Sequence, residues 1–141
     1  MKNSQSVGLS LAIREELVAS ARAAAQQAYA PYSHYLVGAA LLTRRGEIIS
    51  GCNIENISYG LSLCAERVAL FKAISEGHRD FAALALAGGT EQAALPCGAC
   101  RQVLAEFCES EMPIFFARLT GGRIRRNTVG GLLPIAFDTL K

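Results

Sequence analysis

The stretch Cys64-Ala-Glu-Arg-Val-Ala-Leu-Phe-Lys-Ala-Ile74, with its counterpart Pro96-Cys-Gly-Ala-Cys-Arg-Gln102, decides how this chain is read. Each motif opens an amphipathic segment: apolar residues fall at Val68, Ala69, Phe71 and Ile74 after the first, and at Val103, Leu104 and Phe107 after the second. Both are therefore predicted at helix N-termini. Unpaired N–H groups and the positive end of the helix macrodipole favour thiolate over thiol there, which strengthens metal binding. Three thiols, Cys64, Cys97 and Cys100, beside a carboxylate that is not needed as a ligand, Glu66, are the inventory of a hydrolytic zinc centre. Three protein ligands leave tetrahedral Zn²⁺ with an open position, whereas four would close the site and make it structural. Zinc lowers the pKa of a water toward neutrality, and a nearby carboxylate can carry the proton onward. A Cys-x-x-Cys alone is ambiguous between zinc, redox chemistry and chance, so the weight rests on its combination with Cys64-Ala-Glu66. On a regular helix Cys64 and Glu66 diverge, but side chains of a first turn can both project beyond the end.

Outward from these motifs the chain reads as one domain over residues 1–141, without linker or repeat, and with residues 1–9 loose. Ser10 to Ala30 is Ala-rich and predicts a first helix stopped before Pro31. Tyr35 to Thr43 and Glu47 to Cys52 predict two strands joined through Arg44-Arg-Gly46. The Cys64 helix ends at Gly77, a buried strand follows at Phe81 to Ala87, and Gly88-Gly89 leads to the second cysteine motif. Two more strands are predicted at Ile114 to Leu119 and Arg123 to Arg126, around Gly121-Gly122. This order predicts an α/β fold, a three-layer α-β-α sandwich with a mixed sheet of about five strands.

Composition narrows the classes. A 141-residue chain is long enough to bury about two thirds of its unfolded surface. Its 51 % hydrophobic content leaves apolar surface for subunit contacts, or simply reflects an alanine-rich core. The net charge of +2 is too small to argue for nucleic acid. Arg118, Arg123, Arg125 and Arg126 cluster without interleaved aromatics and read as a solvated hairpin. Five cysteines cannot all pair, and with no signal peptide or membrane span the expectation is a reducing cytoplasm. Cys52 could close the zinc site as a fourth ligand, but reads better as a buried strand-end residue; Cys108 reads as core. His34 and His78 offer no ligand spacing.

Five stretches, in this order, resemble the small cytidine deaminases: Ala30-Pro-Tyr-Ser-His-Tyr-Leu-Val-Gly-Ala-Ala40, Gly51-Cys-Asn-Ile-Glu-Asn-Ile-Ser-Tyr-Gly60, Cys64-Ala-Glu-Arg67, Pro96-Cys-Gly-Ala-Cys-Arg-Gln102 and Leu132-Leu-Pro-Ile-Ala-Phe137. A Cys-x-Glu followed by Pro-Cys-x-x-Cys is the signature of zinc-dependent deaminases. The chain departs from the family at Tyr35, where Phe is usual, at Leu95, where a small polar residue is frequent, and at Ile57, where a small one is common. All three bear on the shape of the base pocket.

The resemblance implies the mixed sheet, zinc held by Cys64, Cys97 and Cys100, and Glu66 as proton shuttle. It implies that Asn53 and Glu55 bind ribose. Two residues apart in an extended segment, they face one side, although such residues beyond a strand are also common turn formers. It implies that Arg67 hydrogen-bonds the ligand sulfurs and offsets the negative charge of a three-thiolate site; otherwise Arg67 is an exposed helix residue. Backbone near Ala65 and Leu95 would hold the base edge, with Tyr35 in the pocket. It further implies a homotetramer in which Phe137 packs on the pyrimidine in an adjoining subunit, whereas from the residues alone Phe137 plugs its own core.

The activity implied is zinc-dependent hydrolysis of cytidine and 2′-deoxycytidine to the uridines with release of ammonia, as in pyrimidine salvage. The expected partner is a small pyrimidine nucleoside, not nucleic acid or membrane. Three alternatives stand beside it: a deaminase of another aminated base or nucleoside antibiotic, a polynucleotide-editing enzyme, and a zinc-stabilised module without catalysis. Steep salt dependence on single strands would mark the second.

Overall fold

A computed structural model describes residues 9–138, so the expectation for residues 1–8 lies outside the described residues. The elements run α1 (Leu11–Ala25), β1 (Val37–Thr43), β2 (Ile48–Cys52), α2 (Ala65–Ser75), β3 (Phe81–Gly88), α3 (Gly98–Phe107), β4 (Pro113–Ala117), β5 (Arg125–Thr128) and the short α4 (Val129–Leu132). The five strands form one sheet in the order β2-β1-β3-β4-β5. It is mixed: β1 is antiparallel to β2 and β3, β3 is parallel to β4, and β5 is antiparallel to β4. The predicted three-layer architecture is the one found.

Every residue of β1 and β3 is buried, because both faces of the sheet are covered. Val37, Ala39 and Leu41 of β1 and Leu84 and Leu86 of β3 pack with α2 and α3. The alternate residues Ala40, Leu42, Ala83, Ala85 and Ala87 pack with Leu17, Val18 and Ala21 of α1. Small side chains on the α1 face let that helix lie close. At Gly38 a Cβ would stand 2.0 Å from the Ala21 carbonyl oxygen, and at Gly51 it would stand 2.6 Å from the Ala69 nitrogen. One glycine on each face thus sets the approach of α1 and of α2 to the β1–β2 pair.

Two β-α-β crossovers, β2-α2-β3 and β3-α3-β4, place the N-termini of α2 and α3 beyond the carboxyl ends of parallel strands, the usual position for a site in an α/β sheet. At the far edge β5 carries exposed Arg125 and Arg126, charges that discourage pairing with another sheet. Arg123 is exposed too, and Arg118 is half-buried and donates to the Thr90 carbonyl at 3.4 Å, so this is the solvated hairpin the composition suggested.

Several expectations need correction. The first helix stops at Ala25, not Ala30. Beyond it Tyr29 pairs with the Asn53–Glu55 segment, its N–H donating to the Asn53 carbonyl at 3.0 Å and its carbonyl accepting from Glu55 N–H at 2.8 Å. Tertiary pairing overrides alanine's helix propensity there. The first strand begins at Val37 rather than Tyr35, after His34 turns the chain with φ +59°. The last two strands lie at Pro113–Ala117 and Arg125–Thr128. In α2 the buried residues are Ala65, Glu66, Ala69, Leu70 and Ala73; of the apolar positions read from the sequence Ala69 is buried, Val68 half-buried and Ile74 packs on the core, while Phe71 is exposed.

Candidate metal and catalytic centre

Cys64 and Cys97 are the N-cap residues of α2 and α3, in extended conformation just before each helix. Cys100 sits in the first turn of α3 and is fully buried, and its N–H donates to the Cys97 sulfur at 3.4 Å. The Cys64 and Cys97 sulfurs are 3.8 Å apart and those of Cys97 and Cys100 are 3.2 Å apart. All three lie within 4.8 Å of one another, the one such group of metal-ligating side chains among the described residues. A tetrahedral zinc with Zn–S of about 2.3 Å requires sulfurs about 3.8 Å apart, which the Cys64–Cys97 pair matches while the Cys97–Cys100 pair stands closer, and three thiols with one open side are the donor chemistry that ion takes. Hydrogen bonds from Cys100 and then from Arg67 hold the Cys64 thiol down at about 5, whereas sharing with Cys64 and burial push Cys100 up. Cys52 and Cys108 stand outside the group. Both are half-buried, and burial pushes the Cys52 thiol up and the Cys108 thiol to about 12. Cys108 caps the end of α3 and packs against the main core.

Glu66 is 3 % exposed, and burial followed by the Cys64 charge raises its carboxyl to about 7. Because Cys64 is a cap with ψ 153° and Glu66 lies within the first turn, both side chains reach one cavity of about 480 Å³. Arg67 donates through Nη2 to the Cys64 sulfur at 3.5 Å, and its Nε is buried without a hydrogen-bond partner among the described residues. The negative cluster raises the Arg67 pKa further, chiefly through that hydrogen bond to Cys64, so its charge is permanent.

The cavity is lined by the apolar residues Val37, Leu86, Ala94 and Leu95, together with Tyr35 and Ala65. Of the three departures from the family pattern, Tyr35 and Leu95 line the cavity and Ile57, 80 % exposed, does not. Asn53, Glu55, Ser33 and Ser62 line the same cavity as Cys64 and Cys97. Bridges from Ile54 to Tyr29 and to Leu63 hold this segment extended, so Asn53 and Glu55 share the cavity face and Ile54 does not. The Asn53 amide also accepts from Val37 N–H at 2.9 Å and donates to the Tyr35 carbonyl at 2.8 Å. Phe137 is 66 % exposed, which overturns the expectation from the residues alone that it plugs its own core. Gln102 Nε2 donates to its carbonyl at 3.1 Å. Sequence reasoning missed Ser33 and Ser62; the only signal for Ser33 was its place in the Pro31-Tyr-Ser-His34 turn.

Comparison with known proteins settles the family. Residues 12–116 match the family described as the cytidine and deoxycytidylate deaminase zinc-binding region. The chain belongs to that family. A cytidine deaminase of Sporosarcina psychrophila is 54 % identical over 124 residues, which cover 88 % of this chain and 90 % of that protein. One from Halalkalibacterium halodurans is 52 % identical over 88 % of this chain and 93 % of its own length. The crystal structure of cytidine deaminase from Burkholderia pseudomallei superposes with a TM-score of 0.84 at 47 % identity, covering 87 % of this chain and 98 % of that one. Zinc is therefore the metal that suits the three thiols.

Proposed function

We infer that this chain catalyses the hydrolytic deamination of cytidine and 2′-deoxycytidine, taking up water and releasing ammonia to leave uridine and 2′-deoxyuridine. The observation that carries the reading is a buried carboxyl, Glu66, in one cavity with Cys64 and Cys97 of a three-thiol cluster, within a chain of this family. Cys64, Cys97 and Cys100 would hold zinc, which would supply the Lewis acidity for a hydrolytic reaction near neutral pH. Glu66 takes the proton of the water that adds to C4 of the base, hands it to N3, and carries a second proton to the departing amino group. Burial supports this role, since a carboxyl poised near 7 both accepts and gives a proton at working pH. Arg67 donates to the Cys64 sulfur and tempers the charge of the thiolates.

The base lies along the apolar wall beside Tyr35, its edge held by backbone near Ala65 and Leu95. Asn53 and Glu55 receive the sugar hydroxyls. The protein acts as one domain over residues 1–141, in the cytoplasm, as a homotetramer in which exposed Phe137 of one chain reaches a neighbour's pyrimidine. Among the described residues no helix is long and apolar enough to cross a membrane.

An ultraviolet assay of zinc-loaded protein against cytidine, 2′-deoxycytidine, free cytosine, an aminated nucleoside antibiotic and a cytosine-bearing single strand tests the reading. Turnover of the two nucleosides above all others is expected. Preference for the antibiotic or the single strand, or no turnover at all, would replace it with one of the alternatives.

A further inference from the structure

Glu55 is held by its neighbours in a way that leaves little of it for a ligand. Its Oε1 accepts from Tyr32 N–H at 3.0 Å and from Ser33 N–H at 3.1 Å, which uses both lone pairs of that oxygen. Its Oε2 accepts from the Ser33 hydroxyl. The same hydroxyl oxygen accepts from Tyr35 N–H at 3.0 Å. An amide N–H can only donate, so the single hydroxyl hydrogen of Ser33 is committed to the carboxylate and its direction is fixed. One lone pair of Oε2 remains.

The backbone is shaped to allow this arrangement. His34 adopts φ +59°, a conformation uncommon outside glycine, and so folds the Tyr35 N–H back onto Ser33. The Tyr35 carbonyl in turn accepts from Asn53 Nδ2. A single hydroxyl therefore joins Glu55 to Tyr35, and Tyr35 joins it to Asn53, around the rim of the cavity that all four line.

We propose that Ser33 is a positioning residue for substrate binding: its hydroxyl aims the remaining acceptor of Glu55 at a sugar hydroxyl while setting the backbone that presents Tyr35 to the base. The proposal rests on the reading of Glu55 as the sugar acceptor. Ser33 is also the leading cause of the lowered Glu55 pKa, with the Ser33 and Tyr32 N–H groups adding to it, so the carboxylate stays ionised and able only to accept. The role needs a short side chain that gives one hydrogen and takes another; alanine removes both bonds and threonine keeps them.

Steady-state kinetics of zinc-loaded Ser33→Ala, Ser33→Thr, Glu55→Ala and the Ser33→Ala/Glu55→Ala double variant test this, with zinc content and thermal unfolding checking each fold. Ser33→Ala should raise KM for cytidine by ~10-fold while kcat stays within about threefold, the split of lost uniform binding. Ser33→Thr should recover most of that loss. On the Glu55→Ala background Ser33→Ala should cost less, because the part of its effect that runs through the carboxylate is already gone. A sensitive Glu55→Ala beside a silent Ser33→Ala, or an undiminished Ser33 effect on the Glu55→Ala background, overturns the proposal alone. A silent Glu55→Ala overturns the sugar reading and the proposal with it.

Discussion

The sulfurs of Cys64 and Cys97 lie 3.8 Å apart although 33 residues separate them. That distance is about the edge of a tetrahedral zinc–thiolate site, and it arises because two crossover helices begin side by side. One zinc per chain is expected, held with Cys100. Elemental analysis of dialysed single variants should find zinc lost in Cys64→Ala, Cys97→Ala and Cys100→Ala, and retained in Cys52→Ala and Cys108→Ala. Full zinc in Cys97→Ala, or loss in Cys108→Ala, would contradict the ligand assignment.

Glu66 should weaken the metal-free fold. Its carboxyl is raised from 4.5 to about 7, mainly by burial, so the folded chain prefers the protonated form. Its contribution is fully present below about 4.5 and is lost as pH rises through about 7. At pH 8 the cost of ionising it is on the order of 3 kcal/mol. Chelator-treated Glu66→Gln should therefore unfold at a higher temperature than the unsubstituted protein at pH 8, with the gap narrowing toward pH 5. A gap that does not change with pH would refute a buried, strained carboxylate.

Such tension explains where sequence reading succeeded. The cysteine motifs were legible because ligand spacing coincides in each with the start of an apolar segment, and the strands because residues 37–42 and 81–88 carry no polar side chain. The end of α1 was not legible, since nothing local in Gln26–Ala30 announces the pairing of Tyr29 with Asn53 and Glu55. Nor was the core face of α2, where Phe71 is exposed and alanines are buried to admit close contact at Gly51. The Ser33 hydroxyl escaped notice for a similar reason: its partners are fixed by the backbone turn at His34, not by sequence spacing.

The sugar should matter to recognition. With Asn53 and Glu55 facing one cavity, a substrate lacking ribose leaves the remaining acceptor of Glu55 without its sugar hydroxyl. Free cytosine should show kcat/KM at least ~10²-fold below that of cytidine. Comparable values would rule out the assignment.

Phe137, 66 % exposed in the single chain, should be covered in solution. Light scattering should give a tetramer, and Phe137→Ala should raise KM for cytidine roughly 10-fold through loss of aromatic packing on the base. A fully active monomer would refute shared sites, and a tetramer whose Phe137→Ala variant keeps its KM would refute the role of the aromatic.

The central claim is that Glu66 moves protons in a cavity whose metal is held by other residues. Glu66→Gln preserves shape and leaves the three thiols in place, so turnover of cytidine by the zinc-loaded variant isolates the chemistry from the architecture. The account predicts full zinc content, an intact fold and a kcat lower by at least ~10²-fold. Near-normal turnover with zinc in place would contradict it.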